Sequence, residues 1–203
     1  DLVNMEQLVE YDFNIYVENL LGILSPTSAK NTLGVFKSML KFSQSKYGYR
    51  FNFEFVAIPK SYTEELRVLT KREKNKLEKY CKNSNTLRDI GIVICLNTGL
   101  RIGEICALKW DCIDLDKHCI KVKKTMQRIY NKNDKKSIVK EDIPKTQKSV
   151  RTIPISTKLY NILKPLKKNF SKNCYFLTGS AYNYIEPRNY QYMFKKCLKD
   201  CKI

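Results

Sequence analysis

The run Asn97-Thr98-Gly99-Leu100-Arg101-Ile102-Gly103-Glu104 sets an arginine just after a glycine turn and at the start of an apolar helix. A guanidinium fixed there can grip two phosphate oxygens at once. Taken alone, Arg101 has a plainer explanation, an ion pair with Glu104 one turn along the same helix, which stabilises a helix only slightly. A second basic constellation, Pro144-Lys145-Thr146-Gln147-Lys148-Ser149-Val150-Arg151-Thr152-Ile153-Pro154-Ile155, shifts that balance. It reads as a tight, lysine-tipped hairpin feeding a strand. A lysine on such a turn can enter a groove as a point charge, so the two constellations together suit phosphoryl chemistry.

The whole chain is built to meet a polyanion. Its 203 residues carry 38 Lys and Arg against 20 Asp and Glu, a net charge of +18, and the basic residues are spread along the chain. Such a field attracts nucleic acid first and an anionic membrane second, with binding that weakens as salt rises. No apolar run approaches the roughly 18 residues of a membrane span, and no leader pattern stands at the start. The expectation is a soluble, intracellular protein. Cys81, Cys95, Cys106, Cys112, Cys119, Cys174, Cys197 and Cys201 include no C-x-x-C pair, and His118 is the only histidine. These read as reduced core thiols, and neither a metal nor a cofactor is expected.

The elements that must hold these residues fall into two blocks. Val9, Phe13, Tyr16, Val17, Leu20, Leu21 and Leu24 recur at helical spacing, and Ser25-Pro26-Thr27-Ser28 supplies a break with capping residues. A second helix is predicted from about Ala29 to Tyr47, with Leu33, Phe36, Met39 and Leu40 inward and Gly48 as its stop. Its outer face carries Lys30, Lys37 and Lys41, candidate contacts to a phosphate backbone, although such a run is by default a solvated face. A linker is placed at residues 57–68, between a helical domain at 1–56 and a second domain at 69–203.

The second domain starts with a charged helix opened by Leu69-Thr70. A buried helix with Ile90, Val93, Ile94 and Leu96 ends near Gly99, and a shorter one has the stripe Ile102, Ile105, Cys106 and Leu108. Ile113 to Tyr130 alternates as strand, with His118 inside it; Ile138-Val139 reads as a middle strand, and Val150, Ile153 and Ile155 as another. The fold class is therefore mainly α with a small antiparallel β-sheet. A helix over Thr157–Leu166 should fray at Pro165. After Tyr175-Phe176-Leu177 and a Gly179 turn comes a last amphipathic helix, with Tyr190, Met193, Phe194, Cys197, Leu198 and Cys201 as its stripe. No internal repeat is present.

With these elements in order, the chain resembles the tyrosine recombinases, or phage-type integrases, and looks most like those of mobile elements of low-GC Gram-positive bacteria. The resemblance spans nearly the whole chain. It rests on Thr98 to Glu104 followed by Leu108-Lys109-Trp110 and Ile113-Asp114, on the Pro144-Lys145-Thr146 to Arg151-Thr152-Ile153-Pro154 segment, and on Leu69-Thr70. It implies a helical core-binding domain followed by a catalytic domain, with double-stranded DNA as partner. The implied reaction is transesterification: a tyrosine hydroxyl attacks a DNA phosphate, leaving a 3′-phosphotyrosyl bond and a free 5′-hydroxyl, without metal or nucleotide energy. Arg101 would stabilise the charge growing on the phosphate. Lys145 would protonate the leaving oxygen, with Lys148 taking that place after a one-register slip. Glu104 would orient Arg101, in a structural or a catalytic capacity. Lys148, Arg151 and Arg188 join Lys30, Lys37 and Lys41 as candidate DNA contacts.

The match is incomplete. The family's His-x-x-Arg and its nucleophilic tyrosine have no counterpart among the 203 residues, and none of the 13 tyrosines stands in the nucleophile's context; Tyr190 and Tyr192 read as packing or surface residues. The expectation is a fragment lacking the C-terminal part of its catalytic domain, which binds DNA in the bacterial cytoplasm but does not cut it. The family works as a tetramer on paired sites and docks through that absent segment, so a monomer is expected. A rival reading is a non-catalytic DNA-binding regulator or excision-accessory protein, in which Arg101 and Lys145 contact only the backbone. An RNA-binding module fits less well, because neither RNP-type aromatics nor a KH-type Gly-x-x-Gly loop is present. A membrane-surface role fits least, since the basic helices lack a clean apolar face.

Overall fold

A computed structural model describes residues 4–51, 67–84, 86–131, 135–142 and 150–203. The chain divides into two compact units, Asp1–Arg67 and Val68–Ile203. Most of the expected linker lies outside the described residues.

In the first unit, three helices are each started by a side chain that satisfies orphan N–H groups. Asn4 and Gln7 form a capping box on α1 (Met5–Val9), Asp12 accepts from Asn14 at the start of α2 (Phe13–Ile23), and Ser25 accepts from Ser28 on α3 (Pro26–Tyr47). α3 begins three residues before the predicted Ala29, because Pro26 has a preset φ and no N–H to lose in a first turn. It stops at Gly48, whose φ of +76° places it in the left-handed region. The core is small: Phe13, Val17, Leu33, Leu40 and Phe51, with the Tyr16 and Phe36 rings 5.0 Å apart beside it. Met39, expected inward, is 62% exposed. It lies roughly 90° around the helix from the stripe of Ala29, Leu33, Phe36 and Leu40.

The second unit begins with α4 (Lys71–Ser84), where Thr70 and Glu73 cap one another reciprocally. α5 (Leu87–Thr98) is capped by Thr86 and buries Ile90 through Ile94. Gly99, at φ +67°, ends it and turns the chain into α6 (Ile102–Cys106). Expected in the apolar stripe of α6, Ile102 is 41% exposed. The helix is a little over one turn long, and it buries Gly103 and Glu104 together with the expected Ile105 and Cys106. A Cβ at Gly103 would stand 2.6 Å from the Met126 carbonyl oxygen, so glycine is what lets α6 lie directly on the neighbouring strand.

Two sheets stand where one was expected. β1 (Ile113–Asp114), β2 (Cys119–Val122) and β5 (Arg151–Pro154) form an antiparallel sheet in the order β1-β2-β5, with Ile120 opposite Ile153 and Val122 opposite Arg151. β3 (Thr125–Asn131) and β4 (Lys136–Asp142) form a separate hairpin, so Ile138 and Val139 pair with β3 and are not a middle strand. Alternation of apolar and polar residues fixes which face a side chain takes but not which strand it pairs with, which is why both sheets read as one. His118 is not in a strand either. It sits at φ +48° in the turn before β2, with its ring stacked on Tyr160 at 4.4 Å.

α7 (Thr157–Lys167) runs two residues past Pro165, which removes a single late hydrogen bond and does not end the helix. Trp110, in a 3-10 turn over Trp110–Cys112, is the largest fully buried side chain, stacked on Phe170 at 5.2 Å and packed on Phe176. α8 (Pro187–Asp200) closes the core with Tyr190 and Cys197.

Candidate active site

Arg101 is the N-cap residue of α6, with extended backbone (φ −71°, ψ 155°), delivered there by the left-handed Gly99 and the buried Leu100. Its side chain is 72% exposed, whereas Glu104, one turn on, is 3% exposed. The expected pair is present. The Arg101 backbone N–H donates to Glu104 Oε2 at 2.8 Å and its Nη1 donates to Oε1 at 3.0 Å.

A second arginine shares that carboxylate. Arg151 Nη1 donates to Oε1 at 2.7 Å and Nη2 to Oε2 at 2.8 Å, the parallel two-bond geometry that fits a guanidinium to a carboxylate. Arg151 opens β5 and is held by its pairing with Val122. Expected as a DNA contact, Arg151 also pairs with Glu104 in the fold, and the hub Arg101–Glu104–Arg151 ties α6 to β5. Burial pushes the Glu104 carboxyl up. The bonds from Arg151 and from the backbone and side chain of Arg101 outweigh that and leave it below the ordinary carboxylate value.

Ile102, the residue after Arg101, lines a cleft with Met126, Arg128, Glu186, Arg188 and Gln191. Arg128 of β3 reaches across to Glu186 at the start of α8, with Nε 2.7 Å from Oε1. Arg188 is exposed on α8, and its Nε donates to the Tyr192 hydroxyl at 3.3 Å. It therefore stands on the same cleft as the residue following Arg101. Lys145 and Lys148 lie outside the described residues. Lys30, Lys37 and Lys41 are on α3 of the first unit, the first and last exposed and Lys37 half-buried on the flank of the core stripe.

Two charged clusters escaped the sequence reading. Glu141 of β4 accepts from the Tyr175 hydroxyl at 2.6 Å and pairs with Lys124 at 2.6 Å, while Lys109 sits 4.6 Å over the Tyr175 ring; together they clasp the β3–β4 hairpin to the body. Glu78 is buried on α4 and takes bonds from Lys158 of α7 and Asn97 of α5. Their partners lie from 17 to 80 positions apart, and no local spacing encodes such pairs.

The exposed guanidinium, braced on a buried carboxylate, can receive a phosphate. Three tyrosines near the core are committed elsewhere. Burial pushes the Tyr190 hydroxyl far up and it donates to the Arg88 carbonyl, burial and Glu141 raise Tyr175 to about 12, and the hydrogen bond to Asp200 raises Tyr80 to about 12. Among the described residues no group of His, Cys, Asp and Glu could hold a metal ion, and no helix is long and apolar enough to cross a membrane.

Residues 67–203 match the model of the phage integrase family. The chain belongs to that family. Among curated proteins, this phage integrase chain is 34% identical over 93 residues to a tyrosine recombinase XerC-like protein of Caldanaerobacter subterraneus subsp. tengcongensis, covering 44% of the chain and 24% of that protein. It is 26% identical over 192 residues to the shufflon-specific DNA recombinase of Escherichia coli, covering 89% of the chain and 44% of the relative. The chain thus spans less than half the length of these curated relatives. Among solved structures, the Tn1549 transposon integrase in complex with circular intermediate DNA superposes with a TM-score of 0.74 at 22% identity, over 98% of this chain and 66% of that one. The lambda integrase bound to DNA gives 0.55 at 17% identity, over 92% and 61%. The α+β architecture, with its small antiparallel sheets, is the integrase fold.

Proposed function

We propose that this chain is part of a site-specific DNA recombinase that cuts and rejoins double-stranded DNA through a 3′-phosphotyrosyl intermediate. The observation that carries the reading is Arg101: a mostly exposed guanidinium braced by a 3%-exposed glutamate, inside the segment that matches the phage integrase family. In this reading Arg101 meets the charge that grows on the attacked phosphate, and fixed donors of this kind are the main source of stabilisation in such a transition state. Lys145 protonates the leaving 5′-oxygen, Glu104 fixes the guanidinium, and Arg188 adds a backbone contact across the cleft. Lys30, Lys37 and Lys41 serve the first unit, which is the core-binding domain of the reading. Neither a metal nor a cofactor takes part.

Residues 1–203 contain no His-x-x-Arg and no tyrosine in a nucleophile's setting. On their own they bind DNA, as a monomer, and do not cleave it; the longer recombinase would assemble as a tetramer on paired sites in the bacterial cytoplasm. The test is incubation with a nicked suicide duplex carrying an element end, read on denaturing gels. Retention of duplex without a covalent adduct is expected. A covalent protein–DNA adduct would overturn the division of labour, and a preference for RNA of matched length would overturn the choice of partner.

A further inference from the structure

The hub contains one carboxylate and two guanidiniums, and the two arginines use it unequally. Arg151 covers both oxygens of Glu104 with short parallel bonds of 2.7 and 2.8 Å. The Arg101 side chain makes one longer bond of 3.0 Å, to the oxygen that Arg151 already holds. Arg151 is 30% exposed and Arg101 is 72% exposed. Among the described residues the Arg101 side chain hydrogen-bonds Glu104 alone, so most of its donors face solvent.

We infer that Arg151 is a positioning residue: it neutralises Glu104, so that Arg101 is steered by the carboxylate without being consumed by it and keeps its charge for a phosphate. This rests on the reading of Arg101 as a phosphate ligand and adds a residue to it. A buried carboxylate with a single arginine partner takes that partner whole, because an uncompensated charge out of water is strongly unfavourable. With Arg151 present, the hub has one net positive charge, and it is displayed on the exposed member. Without Arg151, Arg101 would fold onto both oxygens of Glu104 and the hub would become neutral.

A positioning role and a merely structural role for Arg151 move Arg101 in opposite directions. In Arg151→Met, Arg101 should become less accessible. If Arg151 only held the fold together, its loss would loosen α6 and make Arg101 more accessible. If Arg151 were itself a DNA contact, Arg101 accessibility would not change and the loss of binding would simply add to that of Arg101→Ala.

The experiment is phenylglyoxal labelling of residues 1–203, with the modification of Arg101 followed by peptide mass spectrometry, alongside titration with a duplex. Labelling of Arg101 should slow about fivefold to tenfold in Arg151→Met, the change expected when one charge-assisted pair closes over it. It should recover in Arg151→Met/Glu104→Gln, where the carboxylate charge is gone. Duplex affinity should fall and recover in step, and Arg151→Met should weaken binding no further in an Arg101→Ala background. Unchanged or faster labelling in Arg151→Met, or no recovery in the double variant, overturns the inference. Labelling needs no DNA, so a wild-type chain that fails to bind duplex counts against the proposed function alone.

Discussion

Glu104→Gln is the perturbation whose size the structure constrains best. The replacement keeps the shape of the side chain and removes its charge. It also sets an amide N–H₂ against one of the donors from Arg101 and Arg151 that now meet Oε1 and Oε2. Removing one partner of a fully buried ion pair costs about 3–5 kcal/mol, because the other charge is stranded. Here the carboxylate is 3% exposed, but Arg151 at 30% and Arg101 at 72% can both turn to water. The stranding term is therefore discounted, and the loss should be about 2 kcal/mol. Trp110 is the chain's only tryptophan, is 1% exposed and lies in the same unit as the hub, so its fluorescence reports unfolding of that unit. With a urea m-value of about 2 kcal/mol/M, the midpoint should drop by about 1 M at constant slope. A midpoint that stays within about 0.2 M of wild type would refute the view that Glu104 is the post on which α6 and β5 are fixed.

Three further outcomes follow from the same contacts. Gly103→Ala puts a methyl 2.6 Å from the Met126 carbonyl oxygen and 2.5 Å from Thr125 Oγ1, so α6 and β3 must part; a loss of about 1–3 kcal/mol is expected by the Trp110 urea assay, and a neutral result would mean the strand yields freely. Burial raises and the surrounding Arg, Lys and hydrogen-bond partners more strongly lower the carboxyls of Glu78, Glu104 and Glu141, leaving all three below the ordinary 4.5. Their stabilisation is complete above that value and lost as pH falls through the lowered folded values, so urea midpoints should hold down to about pH 5 and decline below about pH 4.5, less steeply in Glu104→Gln. Burial, first among the causes, raises the Cys81, Cys95, Cys106 and Cys197 thiols to about 12. At about pH 8 the native protein should therefore alkylate at these four only as it unfolds, and rapid native labelling of Cys95 or Cys106 would contradict the packing.

The parts of this protein that were legible in its sequence are those encoded locally. Gly99 ends one helix and delivers Arg101 to the start of the next within three positions, so turn chemistry alone locates that arginine and its Glu104 partner. Ser25 and Thr70 mark helix starts by the same local logic. What stayed hidden depends on distant pairing. Arg151 meets Glu104 across 47 positions, a pairing that no local spacing encodes. The apolar and polar residues from Ile113 to Tyr130 read as one strand, yet turns divide them into β1, β2 and β3, and β3 belongs to a different sheet from the other two. Met39 misled because an amphipathic stripe drifts around the helix, and counting apolar residues does not track that drift.

The central claim is that Arg101 offers its charge to a DNA phosphate. The most direct test is to titrate residues 1–203 and the Arg101→Ala variant with one duplex over a series of salt concentrations. The account predicts about tenfold weaker binding for the variant at low salt and a log–log salt slope smaller by about one counterion. Equal affinity and an unchanged slope, in a variant whose Trp110 urea midpoint matches wild type, would contradict it.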